Sequence, residues 1–410
     1  MQLIGAFSKI ITLNNLPIKG AINDNLLEII ENAGVLVANG KIIEIDNFEK
    51  LVKKYAHQTS PKVHIQEVPP NLTLMPAFVD AHTHICFGGN RATDYTKRIA
   101  GTPYLEIAKS GGGIMDTVRK TRACSDEELL KSLLERTERM FSEGVMTAEV
   151  KSGYGLSVAH ELRMLEIINN ANEHTNIDLI ATCLAAHVCP PEHTPQEYLH
   201  LIEKELLPQI LAKNLSKRVD VFVEETAFNA QISKQYLLNA QKMGFDITIH
   251  ADQFSTDGSK LAVEVGAISA DHLEATKEAE IKLLANSNTV AVVLPGASFG
   301  LGMAFAPARK LLDAGCILAI ASDWNPGSAP LGDLLMQAAI LGASEKLNTT
   351  ETFAAITFRA AKALNINDKG ILKPNFIADM IAFDTADYRE ILYWQGKMKP
   401  RFFWKNGRLK

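Results

Sequence analysis

Apolar and polar positions alternate along this chain in two styles. Near the N-terminus, Val35-Leu36-Val37 and Lys41-Ile42-Ile43-Glu44-Ile45 are short β-like runs. Asn39-Gly40 between them is a hairpin signal, because both residues accept the positive φ of a tight primed turn. The C-terminal tail repeats the style, with a strand pattern over 377–383 and a turn at Asn406-Gly407. Both ends are therefore expected to share one small β-sandwich domain built from 1–74 and 373–410. Between them, 75–372 alternates β-like apolar runs with longer helical segments, the signature of parallel βα units. The β-like runs cover 74–84, 145–151, 178–187, 219–225, 245–250, 267–272, 289–295 and 316–323. Eight such runs predict an α/β chain folded as a (β/α)8 TIM-type barrel, in which catalytic groups sit at the C-terminal ends of the strands. The last residue of each run is thus the informative one.

Composition narrows the partners. A chain of 410 residues with 47% hydrophobic content can bury a large core, which excludes general disorder. The net charge of −5 is spread over both signs with no basic cluster, so neither nucleic acid nor an anionic membrane is expected as a partner. The Met1 end shows no basic segment followed by an apolar run and cleavage site, and no apolar stretch approaches the roughly 18 residues of a spanning helix. A cytoplasmic location is expected. Cys86, Cys124, Cys183, Cys189 and Cys316 are odd in number and lack a Cys-x-x-Cys pair, which reads as reduced thiols acting as small core residues.

Candidate polar ligands close four of the eight runs. The first ends in Asp80-Ala81-His82-Thr83-His84, the fifth in His250, the sixth in Asp271-His272 and the eighth in Ser322-Asp323. Residues two apart on a strand face the same side, so His82 and His84 can both point into the barrel mouth. With His250 and Asp323 they make three nitrogen donors and one carboxylate, a set that suits one Zn²⁺ or Fe²⁺ with a position left for water. The competing reading is four separately satisfied polar residues, which must explain why all share one end of the barrel. Gly111-Gly112-Gly113 lacks the Lys-Ser/Thr that would make it a phosphate loop and is expected to be a flexible loop near the mouth.

In order and place, these residues resemble the amidohydrolase superfamily, with His-x-His on strand one, His on strands five and six, and Asp on strand eight. Members with two metals usually carry a carboxylated Lys on strand four. Here that run is Val219-Asp220-Val221-Phe222-Val223-Glu224-Glu225, which favours a single ion, Glu224 or Glu225 being the residues open to a second. The chain more closely resembles the imidazolonepropionase family, through Phe87-Gly88-Gly89-Asn90-Arg91, Ser110-Gly111-Gly112-Gly113-Ile114, Glu149-Val150-Lys151-Ser152-Gly153-Tyr154-Gly155, His250-Ala251-Asp252 and Asn325-Pro326-Gly327-Ser328. That family hydrolyses 4-imidazolone-5-propanoate to N-formimidoyl-L-glutamate in histidine degradation. The resemblance implies metal binding at His82, His84, His250 and Asp323. It implies substrate contacts at Arg91, Tyr154, His187, Gln253, Asn325, Gly327 and Ser328.

These implied roles carry physical expectations. Arg91 can hold a propanoate bidentately, the alternative being an exposed surface arginine. Tyr154, between two glycines, can bring its hydroxyl over the site or simply pack in its loop. His187 is expected to donate to the ring carbonyl unless it is a core histidine bonded to backbone. Gly327 and Ser328 are expected to offer backbone and hydroxyl donors, although Ser328 could instead cap a helix. Asp323 is assigned the proton shuttle and His272 a base or electrostatic role. Gln253 stands where some relatives have Glu, and an amide cannot act as a base. This disfavours the alternative of a mononuclear amidohydrolase deaminating a purine or pyrimidine. The expected partner is a small anionic substrate, and a homodimer is the expected assembly.

Overall fold

The computed structural model describes residues 1–55, 62–102, 106–107, 110–225 and 227–410. The first five strands are β1 (Gln2–Ile11), β2 (Ile29–Ala38), β3 (Lys41–Asn47), β4 (His64–Glu67) and β5 (Thr73–Pro76). Eight more follow: β6 (Phe78–Asp80), β7 (Val145–Lys151), β8 (Asp178–Ala186), β9 (Arg218–Val221), β10 (Asp246–Ala251), β11 (Ser269–His272), β12 (Val290–Val293) and β13 (Ile317–Ile320). The chain ends with β14 (Met380–Phe383), β15 (Phe402–Lys405) and β16 (Arg408–Leu409).

Strands β6 to β13 run parallel in chain order. The ring closes just above the named strands, where Asp323 N–H donates to the His82 carbonyl and His84 N–H to the Trp324 carbonyl, each at 3.0 Å. Closure thus runs through the very segments that carry the histidine pair and the aspartate. Helices on the outside begin at well-formed caps. Ser125 and Glu128 make a reciprocal capping box for Asp126–Ser142, and Ser157 caps Val158–His174.

The other sheet has the order β16-β15-β14-β5-β1-β2-β3, with β4 also against β1. Both chain ends build it, as expected. It rolls on itself, because Ile42 N–H reaches the Phe376 carbonyl and Ala378 N–H the Gly40 carbonyl, both at 2.9 Å. The fold encloses Phe7, Val35, Leu74, Met380 and Trp404. Both Asn-Gly pairs form the expected turns, with φ of 50° and 78° at Asn39-Gly40 and 51° and 71° at Asn406-Gly407.

The run 74–84, expected as one barrel strand, is divided between the two sheets. Pro76 has no N–H to continue a ladder. Ala77 then donates to the Asp379 carbonyl (3.0 Å) in the rolled sheet, and Phe78 to the Gly144 carbonyl (2.9 Å) in the barrel. A second tie between the sheets is ionic. Lys369 and Lys405 each reach both Asp178, at the start of β8, and Asp379, just before β14.

The barrel strands are less apolar inside than their composition suggests. On β7, Met146, Ala148 and Val150 belong to the large apolar core, while Thr147, Glu149 and Lys151 alternate with them. Arg218 and Asp220 on β9, Thr248 and His250 on β10, and Ser269 and Asp271 on β11 repeat this two-residue rhythm. Their contacts with one another across the barrel place them on its inner face. Cys86, Cys183 and Cys316 are buried, Cys124 and Cys189 partly so, and all five are free thiols. Among the described residues, no helix is long and apolar enough to cross a membrane.

Candidate metal centre

At the C-terminal ends of β6 and β10 and beyond β13, four donor atoms converge. His84 Nε2 lies 3.2 Å from both His82 Nε2 and His250 Nε2. Asp323 Oδ1 is 3.4 Å from His84 Nε2 and 3.6 Å from His82 Nε2. All four residues are at most 3% exposed. Unprotonated imidazole nitrogens this close repel unless a cation stands between them. Bonds of about 2.0–2.1 Å in a tetrahedral zinc site put neighbouring donors about 3.3 Å apart, which matches this spacing.

The imidazoles are also in the protonation state that ligation needs. His82 Nδ1 lies 2.7 Å from Asp271 Oδ2, and His250 Nδ1 lies 2.8 Å from Asp220 Oδ2. Each carboxylate sits beside its imidazole's Nδ1, favouring the proton there and leaving the Nε2 lone pair facing the centre. Burial holds His82, His84 and His250 below the usual histidine pKa, helped at His82 by Lys151 and at His84 by His187. Burial raises Asp323 to about 6, against the pull of His272. The residues therefore fit one divalent ion bound by three neutral imidazoles and one carboxylate.

Beneath the centre is a buried ionic layer. Lys151 Nζ is 2.6 Å from Glu149, 2.8 Å from Asp220 and 3.8 Å from Asp271, all fully buried. It bridges the two carboxylates that orient His82 and His250. Burial alone would strip its proton, but Asp220 and Glu149 outweigh that and hold its pKa above the usual lysine value. Arg218 closes the layer below, 3.4 Å from Glu149, while its Nη2 donates to the Ala363 carbonyl.

The mouth is built from loops after the strands. Glu161, fully buried, accepts from the backbone N–H groups of Gly153 (2.9 Å), Gly155 (2.7 Å) and Leu156 (2.7 Å). This anchors the loop that carries Tyr154, whose ring centre stands 6.0 Å from His84 and 5.5 Å from His187. His187 stacks on His84 at 5.2 Å and donates from Nδ1 to the Gly153 carbonyl (3.2 Å). Burial pushes its pKa down to about 3, so its Nε2 is a lone pair. The backbone bond named as the alternative for His187 is thus present at Nδ1, and Nε2 is left toward the mouth as an acceptor.

Asp252 accepts from Ser259 N–H and from the hydroxyls of Ser259 and Thr276, and so fixes the turn that presents Gln253. Among the described residues, the Gln253 amide forms no hydrogen bond of its own. Glu224, considered above for a second ion, is spent on Phe254 N–H, Ser255 N–H and the Ser255 hydroxyl. His272 Nδ1 is 3.5 Å from Glu274 Oε2, and its ring centre is 5.3 Å from that of His250. Burial opposes its charge, but Glu274 and then Asp323 raise its pKa.

The loop after β13 departs from expectation. Asn325 Oδ1 accepts from both Gly327 N–H and Ser328 N–H at 2.8 Å. Of the backbone and hydroxyl donors expected from Gly327 and Ser328, both backbone N–H groups are therefore spent within the turn. Asn325 Nδ2 reaches Asp323 Oδ2 and the Ser328 hydroxyl, each at 2.9 Å, and the Asp323 carbonyl at 2.7 Å. Asn325 thus steers the aspartate. Gly327 has a different use: a Cβ there would come within 2.3 Å of Arg91 Nη1, so its bareness admits the guanidinium to the mouth. Arg91 is 11% exposed and donates from Nε to Asp94 (2.8 Å); among the described residues its Nη nitrogens form no hydrogen bond. The glycine-rich loop expected beside the mouth, Gly111-Gly112-Gly113, leads into the helix Ile114–Ala123 and is tied to Asp94 through Gly113 N–H (2.8 Å).

Lys151, Glu149, Asp220, Glu161 and Glu274 are absent from the expected set. For all but Glu161 a signal is present, since Glu149-x-Lys151, Arg218-x-Asp220 and His272-x-Glu274 show the inward two-residue spacing of buried charge on strands and strand ends.

Residues 73–410 match the model of the amidohydrolase family. The imidazolonepropionase of Bdellovibrio bacteriovorus is 36% identical over 411 residues, covering 99% of this chain and 96% of that protein. That of Bacillus cytotoxicus is 40% identical over 339 residues, covering 82% and 80%. Among solved structures, a zinc-bound adenosine deaminase from Xanthomonas campestris superimposes with a TM-score of 0.70 at 17% identity, covering 100% of this chain and 92% of its own. A guanine deaminase from C. acetobutylicum with bound guanine gives 0.71 at 14%, covering 100% and 99%. These last two speak for the fold alone. The extent and identity of the sequence matches carry the assignment: this chain belongs to the amidohydrolase family and, within it, to the imidazolonepropionases.

Proposed function

We propose that this chain hydrolyses 4-imidazolone-5-propanoate to N-formimidoyl-L-glutamate, a step of histidine degradation. The observation that carries the reading is a four-donor metal centre sharing its mouth with an arginine whose Nη nitrogens carry no hydrogen bond among the described residues. A divalent ion held by His82, His84, His250 and Asp323 supplies Lewis acidity, acidifying the attacking water and polarising the ring carbonyl. Zinc and iron both suit these donors.

The chain's own residues do the rest. Arg91 binds the propanoate through its Nη end and fixes the ring over the centre. His187 accepts an N–H of the ring at Nε2, and Tyr154 and Gln253 border the same space. Asp323, with Oδ2 steered by Asn325, takes the proton of the attacking water and passes it to the ring nitrogen as the bond to the carbonyl carbon breaks. His272, held by Glu274, stabilises the charge that passes through Asp323. Asn325 acts through Asp323, and Gly327 gives Arg91 room.

Incubation with imidazolone propanoate and, separately, with guanine tests the reaction class. Ring opening of the first alone is expected; release of ammonia from guanine alone would replace the proposal with a deaminase. Arg91→Ala tests the substrate contact. Loss of a charged hydrogen bond costs about 1.5–3 kcal/mol, so kcat/KM for the acid should fall roughly 10- to 150-fold. The neutral methyl ester should react poorly with the wild type and be almost unaffected by the substitution. Equal losses on acid and ester would mean that Arg91 supports the loop and does not read the carboxylate.

A further inference from the structure

We propose that Asp94 is a positioning residue that aims the Arg91 guanidinium and locks the glycine-rich loop 110–113 to it. The proposal rests on Arg91 holding the substrate carboxylate. Arg91 caps the helix Ala92–Ile99 and Asp94 lies in its first turn. Asp94 Oδ2 accepts two hydrogen bonds at 2.8 Å, one from Arg91 Nε and one from Gly113 N–H. Both charged side chains are only 11% exposed.

A guanidinium offers a carboxylate two edges, one through Nε and one through the two Nη groups. Asp94 occupies the first and leaves the second. On the other side Nη1 rests against Gly327, in the turn that also holds Asn325 and Asp323. Arg91 is thereby clamped between Asp94 and the loop that steers the catalytic aspartate.

The glycines serve the same clamp. Gly113 adopts φ 73°, a left-handed conformation that turns its N–H toward Asp94 and strains any L side chain. Gly112 has no such φ, but a Cβ there would come within 2.4 Å of Asp94 Oδ1 and 2.9 Å of the Ile107 carbonyl. One glycine supplies backbone conformation and the other supplies room. Charge and orientation make opposite forecasts for this aspartate. If it mattered only as a negative charge beside Arg91, removing it would improve binding of an anion. If it holds the fork, removing it weakens binding, because a freed arginine must be ordered anew for each substrate.

The test measures kcat and KM on the acid and its methyl ester for metal-loaded Asp94→Ala, Asp94→Asn and Gly112→Ala, each alone and combined with Arg91→Ala. Asp94→Ala should lower kcat/KM for the acid about 5- to 30-fold, mainly through KM, less than the loss in Arg91→Ala because the guanidinium is still present and only its orientation is lost. The ester should be unaffected. Asn should restore most of the loss, since its single oxygen can accept from both N–H groups, and Gly112→Ala should reproduce the loss by displacing Asp94. None should cost anything further once Arg91 is alanine. Unchanged or improved acid activity in Asp94→Ala, equal loss on the ester, or full additivity with Arg91→Ala overturns the proposal. If Arg91→Ala itself fails to distinguish acid from ester, the reading of Arg91 falls and this inference with it. If Arg91→Ala distinguishes them and Asp94→Ala does not, only the inference falls.

Discussion

Asp323→Asn and His82→Ala should each reduce turnover by about 10³-fold or more and bring bound metal close to zero, with the far-ultraviolet circular dichroism of the barrel retained. The ion is asked for several kcal/mol of transition-state stabilisation, and each decade of rate corresponds to about 1.4 kcal/mol. The two variants should differ in stability. In Asp323→Asn the amide keeps the volume and can still accept from Asn325 Nδ2, so the turn over 325–328 persists. In His82→Ala the Asp271 carboxylate, 0% exposed, loses the imidazole 2.7 Å away and is left with Lys151 at 3.8 Å and Thr248 at 3.2 Å. His82→Ala should therefore unfold at the lower urea concentration. Chelation of the wild type should abolish turnover and metal readdition should restore it. Full activity in protein shown to be metal-free would end the metal hypothesis.

The second large effect is expected at a residue that reaches no substrate. Lys151→Met keeps length and removes the only cation within 4 Å of Asp220 and Asp271 among the described residues. Three fully buried carboxylates, Glu149, Asp220 and Asp271, would then face one another with only Arg218 beside Glu149. Removing one partner of a buried ion pair costs about 3–5 kcal/mol, because the desolvated charge that remains has no counterion. The urea midpoint of metal-free Lys151→Met should fall by that equivalent. A bound divalent ion returns positive charge to the same carboxylates through His82 and His250. The stability gained on adding metal should consequently be larger in Lys151→Met than in the wild type. A metal-free variant as stable as the wild type would show that Lys151 merely fills space.

Much of the site was readable because barrel geometry turns strand-terminal identity into function. His82, His84, His250 and Asp323 close apolar runs, and the structure brings them to one point. What was harder to read has specific causes. Run 74–84 looked like one strand because its apolar residues are continuous, yet Pro76 forces the ladder to change partners. The inner charged layer hid behind the outward Val and Ala residues with which it alternates. Asn325-Pro326-Gly327-Ser328 offers donors at Gly327 and Ser328, yet Asn followed by Pro-Gly is also the mark of a side chain bonding its own turn. Glu161 could not be placed at all. Its three backbone partners are local in sequence, but whether it turns inward depends on how the helix Val158–His174 packs on the barrel.

The hand-over at Pro76 and Ala77 bears on how the protein is made. β5 is paired on one side by β14, and Ala77 N–H is satisfied by Asp379. The residues leading into His82 are thus tethered to a segment synthesised some three hundred positions later. A nascent chain halted before β14 would have all four metal donors, since Asp323 is already out, but the stem of its histidine pair would be an open edge. Lys405, which joins Lys369 on Asp178 and Asp379, would also be missing. Assembly of a rigid donor set should therefore wait until β14 to β16 have emerged from the ribosome. A fusion that holds residues 380–410 in the exit tunnel should delay metal uptake until release.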